Sequence, residues 1–151
     1  MKKFLLYIIL FLALVGAVDA GYLLVEIVKG GAVICPNVPV GRFNLNQCDV
    51  VLATSYAKIF GLPNALYGLV AYLIFALLVL YELNRMGKTG AVNLLSYLSG
   101  LGILAFIYFI YLQFFVIKAL CFYCLLSASI MTLIFILSIA YNLRHYKNSG
   151  T

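Results

Sequence analysis

Four long apolar runs dominate the sequence, and they limit the chain to a small set of folds. The runs cover about residues 4–25, 64–81, 91–117 and 121–141. Each is long enough to cross a hydrocarbon core of roughly 30 Å as an α-helix. Backbone polar groups within lipid must be bonded inside the chain, which favours helices over open sheets. We therefore predict an all-α membrane protein, a bundle of four transmembrane helices.

The composition supports an integral membrane protein over a soluble one. The chain is 66% hydrophobic and 9% charged, whereas soluble domains carry about 25% charged residues. The net charge of +6 is spread over loops and ends, which indicates membrane topology and contact with lipid head groups rather than nucleic-acid binding. Too little lies outside the runs for a separate soluble domain, so we expect one domain over residues 1–151.

The first run has two interpretations. Lys2 and Lys3 precede it, and the small residues at Val18–Ala20 are typical of a signal peptide. The apolar run continues through Gly21–Val25, however, which favours a retained helix. Asp19 lies inside the run, and an acid within a membrane span is a candidate functional group. Its position near the end of the run equally allows it to reach interfacial water, and the sequence leaves both open.

The long loop, residues 26–63, contains two of the four cysteines, Cys35 and Cys48. Glycine and proline punctuate its first half, at Gly30-Gly31, Pro36, Pro39 and Gly41. The segment that starts at Cys48 predicts a short amphipathic helix on the membrane surface. We expect this loop to cover the outer end of the bundle.

Lysine and arginine counts favour both termini in the cytoplasm. The amino end, the polar turn at 82–89 and the tail carry six of them, against four on the long loop and the connection at Lys118. The more basic side is normally the inner one. All four cysteines then lie on the outer face, where an oxidising compartment allows disulfides. His145, in the tail, is interpreted as a solvated residue without a catalytic role.

The sequence Cys121-Phe-Tyr-Cys124 opens the fourth run. On the first turn of a helix, unpaired N–H groups and the macrodipole stabilise a thiolate, and Lys118 would add a cation. Two dithiols on one face can pass electrons through mixed disulfides. Cys121 and Cys124, the inner pair, then need an electron acceptor. A lipid-soluble quinone is a suitable acceptor at the end of a membrane helix. The candidates by position for bonding its carbonyl oxygens are Asn64, Thr54, Ser55 and Tyr67.

Several motifs together resemble the vitamin K epoxide reductase family. They are the loop with Cys35 and Cys48, the Cys-Asp-x-Val-x-x-Thr segment at Cys48, the Asn-x-x-Tyr-Gly segment at Asn64, and the Cys-x-x-Cys at Cys121. The resemblance covers nearly the whole chain, about residues 16–141. It implies a membrane enzyme that couples thiol–disulfide exchange to a quinone.

The resemblance also implies roles for the cysteines. Cys124 would lie next to the quinone and form a charge-transfer or covalent adduct with it. Cys121 would be its partner and would exchange with Cys48 on the loop. Cys35 would pair with Cys48 and take electrons from the thiol partner.

Further positions follow from the resemblance. Thr54 occupies the family's Ser/Thr position, with Ser55 beside it, and Asn64 matches the asparagine that bonds a quinone carbonyl in vertebrate members. Ala128 stands where those members have a tyrosine, and no thioredoxin-like segment follows Tyr141. These features favour a microbial homologue with a separate thioredoxin-like (DsbA-like) partner. The acceptor would be menaquinone, ubiquinone or a vitamin K-type quinone or epoxide, without a metal.

Three alternatives carry different functions. The DsbB family also has four spans and uses quinone, but its Cys-x-x-Cys follows the first span. A four-span membrane protein with purely structural disulfides would have the same cysteines and no thiol-oxidising activity. A four-cysteine zinc site prefers two closely spaced pairs, and the twelve residues between Cys35 and Cys48 do not fit that pattern.

Overall fold

The computed structural model describes residues 2–30, 33–37, 39–40, 43–45, 47–85 and 90–149. Four of its helices are long and apolar enough to cross a membrane, which confirms the predicted all-α membrane bundle. The helices are α1 (Lys2–Lys29), α2 (Cys48–Ala53), α3 (Asn64–Asn84), α4 (Ala91–Tyr111) with a π-helical continuation (Leu112–Ile117), and α5 (Phe122–Ser149).

The loop before α3 contains two very short antiparallel hairpins. Strand β1 (Pro39–Val40) pairs with β2 (Phe43–Asn44), and β3 (Lys58–Ile59) pairs with β4 (Leu62–Pro63). Phe60 and Gly61 connect β3 to β4, and both have positive φ angles, 52° and 80°. This backbone fits the two-residue turns that match the twist of a hairpin. Gly31 and Gly41, which we interpreted as turn residues, lie outside the described residues.

Helices α1 and α3 pack closely because one position on α1 has no side chain. A Cβ atom added at Gly16 would lie 2.5 Å from Cε1 of Tyr72 on α3, so only glycine leaves room for this ring. The Tyr72 hydroxyl donates a hydrogen bond to the Ser127 carbonyl of α5 at 2.8 Å. The apolar core of the bundle surrounds this contact, and its fully buried members include Ile9, Val79, Leu95 and Ile134.

Glu82 corrects one detail of the sequence interpretation. We placed it at the start of a polar turn, but it lies in the last turn of α3 and is buried. Its Oε2 atom accepts the Ala91 N–H at 3.1 Å, which satisfies a free donor at the start of α4. The side chain of His145 lies outside the described residues, as do residues 86–89 with Lys88.

A second apolar cluster lies between the loop and the ends of the helices that the loop covers. It is separate from the core of the bundle and contains Leu23, Val33, Cys48, Val51, Ala65, Ala119 and Cys121. The predicted short helix at Cys48 is α2, and its buried residues Cys48 and Val51 face this cluster. Burial of these side chains holds the loop against the bundle.

Candidate functional site

The two cysteine pairs lie at the same end of the bundle. The Gln47 N–H donates a hydrogen bond to the Leu120 carbonyl at 3.3 Å. This bond places the residue before Cys48 beside the residue before Cys121. Both cysteines are completely buried in the same cluster. The fold therefore brings together two positions that are more than seventy residues apart in the sequence.

The loop pair is oxidised in this structure. Cys35 and Cys48 form a disulfide, with their Cα atoms 6.3 Å apart, within the usual range for such bonds. Asp49, the second residue of α2, accepts the Val33 N–H on Oδ1 at 2.7 Å. The segment that carries Cys35 is therefore held to α2 by a covalent bond and by a charge-assisted hydrogen bond.

The same segment is also held to the start of α5. The Tyr123 hydroxyl donates to the Ile34 carbonyl at 3.2 Å. The Tyr123 ring lies 5.3 Å from the ring of Tyr22 on α1, centroid to centroid. Cys35 itself is half-buried, unlike Cys48. The loop pair therefore presents one partly accessible sulfur and one hidden sulfur.

Cys121 and Cys124 are free thiols at the start of α5. Cys121 occupies the capping position, since its carbonyl accepts the Leu125 N–H at 3.2 Å and its Sγ accepts the Cys124 N–H at 3.3 Å. A side-chain acceptor at this position normally satisfies a free N–H of the first turn. Here a sulfur atom does so, and the partial positive charge of the helix end favours its thiolate.

The pKa of the Cys121 thiol is held below its ordinary value. The main cause is the hydrogen bond from the Cys124 side chain, with smaller help from backbone N–H groups of Cys124 and Tyr123. Burial and the charge of Asp19 act in the opposite direction. We expected help from the Lys118 cation, but this side chain is exposed and hydrogen bonds account for the lowered pKa.

Gln113 holds the backbone in front of this pair, and our sequence interpretation missed it. It is buried in the π-helical turn, and its Oε1 atom accepts the Cys121 N–H at 3.1 Å. Its own carbonyl accepts the Ala119 N–H at 3.2 Å. The signal was present as a polar residue within an otherwise apolar run. Single π-helical turns frequently occur at functional sites.

A cavity of about 300 Å³ opens beside this end of the bundle, between α1, α3, α4, α5 and the loop. This volume is at the lower limit of small-molecule sites, about 300–1,000 Å³. Cys124 lines the cavity, whereas Cys121 is not among the lining residues. The wall is mainly apolar and aromatic, with polar groups from Asp19, Thr54, Asn64, Gln113 and Ser127.

Three of the four side chains that we predicted by position line this cavity. They are Thr54, Asn64 and Tyr67, while Ser55 is exposed and outside the lining. The Thr54 hydroxyl donates to the Val51 carbonyl at 2.7 Å, and the Tyr67 hydroxyl donates to the Ile59 carbonyl at 3.1 Å. Both hydroxyl protons are therefore committed to the backbone. The amide of Asn64 lies on the first residue of α3.

The structure resolves the two interpretations of Asp19 in favour of burial. Only 7% of this residue is exposed, and it lines the cavity. Neither carboxyl oxygen makes a hydrogen bond to a described residue. The Ser127 side chain is near it, but its hydroxyl group is 2.9 Å from the Tyr72 hydroxyl, with which it is hydrogen-bonded. Asp19 therefore lies in the wall of the cavity and not on the surface of the bundle.

The family model described as the vitamin K epoxide reductase family matches residues 7–139. The chain belongs to the vitamin K epoxide reductase family. This confirms the resemblance found in the motifs, and no curated protein matches the sequence individually. Membership makes the protein an integral membrane oxidoreductase of the thiol–disulfide and quinone type. The family uses quinones as substrates and generally works with thioredoxin-like partners.

The pairing of the cysteines bears on the alternative of a four-cysteine zinc site. Two of the sulfurs are joined in the Cys35–Cys48 disulfide, so they are not thiolate ligands in this state. Within the described part of the chain, no group of three or more His, Cys, Asp or Glu residues could hold a metal ion.

Proposed function

We propose that the protein is a quinone-dependent, disulfide-forming oxidoreductase that oxidises a separate thioredoxin-like protein. Electrons pass to Cys35–Cys48, then to Cys121–Cys124, and then to a quinone. One arrangement carries the proposal. The bond between Gln47 and Leu120 places Cys48 beside Cys121, while Cys124, the other member of the inner pair, lines the cavity.

The first exchange takes place at the half-buried sulfur. A thiolate of the partner attacks Cys35, the Cys35–Cys48 bond breaks, and Cys48 leaves as a thiolate. The second thiol of the partner then attacks the mixed disulfide and releases Cys35. The partner loses two electrons and two protons and becomes a disulfide, and the loop pair becomes a dithiol.

The second exchange moves the electron pair inward. Cys48 attacks Cys121 of an oxidised inner pair and releases Cys124, and Cys35 then attacks Cys48 to restore the loop disulfide. The result is a loop disulfide with a reduced inner pair, which is the state of the cysteines in this structure. This state is ready to give electrons to a quinone.

The third step takes place in the cavity. Cys124 contacts the quinone, Cys121 closes the inner disulfide, and the quinone takes two electrons and two protons to become a quinol. We propose that the Asn64 amide donates to one quinone carbonyl, since the hydroxyl protons of Thr54 and Tyr67 are bonded to backbone carbonyls. Thr54, Ser55 and Tyr67 would shape the entrance. A menaquinone, ubiquinone or vitamin K-type ring would stack among the aromatic side chains.

The membrane orientation belongs to the same proposal. Both termini would be cytoplasmic and the four cysteines would lie at the outer face, as the distribution of lysine and arginine favours. An outer location gives the loop pair access to a partner in an oxidising compartment.

The deciding experiment is oxidation of a reduced DsbA-like protein by the purified enzyme with a short-chain ubiquinone or menadione. We expect one quinol for each partner disulfide formed, and no quinol with the Cys124→Ala variant. Equal partner oxidation by the wild type and Cys124→Ala would contradict the proposal, and no partner oxidation by either would support structural disulfides. A wild type that forms no quinol with any quinone would also contradict the proposal.

A further inference from the structure

A buried acid in the cavity has no structural partner that explains its presence. Only 7% of Asp19 is exposed, and its two carboxyl oxygens make no hydrogen bond to a described residue. An acid inside a membrane span is unfavourable and normally marks a functional group. A buried polar group without a hydrogen bond adds a further unfavourable free energy. The fold maintains this unfavourable group within the wall of the cavity.

The position of Asp19 allows it to act on both the inner thiols and a quinone in the cavity. It lines the same cavity as Cys124 and Asn64. Its charge also acts on Tyr72 of α3 and on the thiol and phenol groups at the start of α5, which belong to Cys121, Tyr123 and Cys124. These are the titratable groups, within the described ranges, whose interaction with Asp19 is resolved. Asp19 therefore lies in the wall of the proposed quinone cavity and within electrostatic range of the inner thiols.

The chemistry in this cavity needs a proton carrier. Reduction of a quinone to a quinol adds two protons to two oxygen atoms. The hydrogen bonds to Cys121 favour its thiolate, and in that form one of the two protons comes from solvent. The Cys124 thiol supplies the other. The amides of Asn64 and Gln113 and the bonded hydroxyls can donate hydrogen bonds, but they do not release protons near neutral pH.

We propose that Asp19 transfers the proton of the Cys124 thiol to the quinone oxygen. The carboxylate takes the proton as the Cys124 sulfur attacks a quinone carbon and a C–S bond forms. The neutral acid then gives this proton to one quinone oxygen as Cys121 attacks the Cys124 sulfur. The C–S bond breaks, the S–S bond of the inner disulfide forms, and the electron pair of the C–S bond stays on the ring. The second oxygen takes its proton from solvent, and Asp19 returns to its starting state. This inference rests on the proposed function and adds a residue to it.

The test uses single-turnover mixing of the fully reduced enzyme with menadione or a short-chain ubiquinone. Asp19→Asn keeps the size of the side chain but cannot carry a proton. We expect its rate of quinol formation to fall by about 10²–10⁴-fold, the range for lost general acid–base catalysis. The quinone concentration that gives half the maximal rate should stay within a few-fold. Asp19→Glu should recover most of the rate.

Glu82→Gln is the matched control, because it neutralises another buried acid. A Cβ atom at Gly68 would contact Ala20 at 3.7 Å, so Asp19 lies near the level of Gly68. Glu82 is then roughly 20 Å further along α3, at 1.5 Å per residue. It lines no part of the cavity, and we expect quinol formation at the wild-type rate.

The possible results separate this inference from the proposed function. A wild type that forms no quinol refutes both. A wild type that forms quinol, together with Asp19→Asn at the same or a higher rate, refutes only the role of Asp19. A third result also refutes the role of Asp19: Asp19→Asn slows reduction of the Cys35–Cys48 disulfide by dithiothreitol as strongly as it slows quinol formation. A proton carrier in the cavity should leave the exchange at the loop unchanged.

Discussion

The two cysteine pairs differ in how the chain holds them. The loop pair closes a separation of 13 residues with a disulfide and depends on contacts between distant segments. The inner pair, Cys121 and Cys124, is also called the helix pair because both residues lie at the start of α5. The two cysteines are three positions apart and depend on the first turn of this helix, where the Cys121 sulfur accepts the N–H of Cys124. The loop pair is therefore fixed by contacts between distant segments, and the helix pair by the local geometry of a helix end.

This difference is the basis of the proposed division of work between the pairs. Cys35 is half-buried and can meet another protein, whereas Cys121 and Cys48 are completely buried. At the start of α5, the helix end and its hydrogen bonds favour the Cys121 thiolate against the opposing effect of burial. The loop pair then supplies the access that the inner pair lacks. Changes to the contacts of the loop pair and changes to the contacts of the helix pair should therefore affect different steps of the reaction.

The largest expected effect separates the pairs directly. Cys124→Ala should lower quinone reduction by about 10³-fold or more with any reductant, since it removes the sulfur that faces the cavity. Cys35→Ala should lose electrons from the protein partner but keep reduction by dithiothreitol, which reaches the inner pair directly. Quinol formation with each reductant measures both effects.

A double variant completes that comparison. In Cys35→Ala the free Cys48 could form a lasting disulfide with Cys121, whereas Cys35→Ala/Cys48→Ala removes this trap. The double variant should keep dithiothreitol-driven quinol formation. If it loses activity as fully as Cys124→Ala, then the two pairs do not divide the work as proposed.

Gln113 should give the next largest effect, and only on the helix pair. Gln113→Leu leaves the buried Cys121 N–H without its acceptor, which costs about 1–3 kcal/mol. We expect a lower thermal unfolding temperature and slower quinol formation, by about 10-fold for each 1.4 kcal/mol that acts on the reaction. Gln113→Glu keeps an acceptor oxygen and should lose less. Equal losses in both variants would show that the bond to Cys121 is not what matters.

The fold was largely predictable from the sequence because its main determinants are local. Length and hydropathy define the four spans, and the positions of Cys121 and Cys124 at the head of a run define a helix end. The short helix at Cys48 also follows from its pattern. Glu82 was placed wrongly because its carboxylate satisfies the Ala91 N–H across a turn, a contact that no local pattern reveals.

The site was less predictable, because its polar groups come from four helices and the loop. Gln113 appears in the sequence as one polar residue in an apolar run, and only the bond to Cys121 shows its purpose. Asp19 was noticed, but its burial and its place beside Cys124 require the packing of α1 against α3 and α5. Thr54 and Tyr67 were found by position, although the backbone carbonyls that hold their hydroxyl protons were not foreseen.

The pH dependence of the helix pair should show a moderate effect with a definite sign. Because the pKa of Cys121 is below its ordinary value, its thiolate persists to lower pH than that of a free cysteine. Cys124→Ala removes the main cause, the bond from the Cys124 side chain, and should raise the pKa. Cys124→Ser keeps a donor and should raise the pKa of Cys121 less.

With the Cys35–Cys48 disulfide intact, Cys121 is the remaining thiol in both variants. The pH dependence of its alkylation by iodoacetamide therefore reports its ionisation. Identical midpoints in the two variants would contradict this cause.

Asp49 should produce the smallest effect, confined to the loop pair. Its exposed carboxylate accepts the Val33 N–H at 2.7 Å, and solvent can replace part of this bond, so Asp49→Ala should cost about 1 kcal/mol. Partner-driven quinol formation should fall a few-fold, because the segment with Cys35 is held less firmly, while the dithiothreitol-driven rate stays unchanged. Asp49→Asn keeps the acceptor oxygen and should fall less. A loss with dithiothreitol equal to the loss with the partner would mean that Asp49 supports the helix pair as well, and that the contacts of the two pairs are not independent.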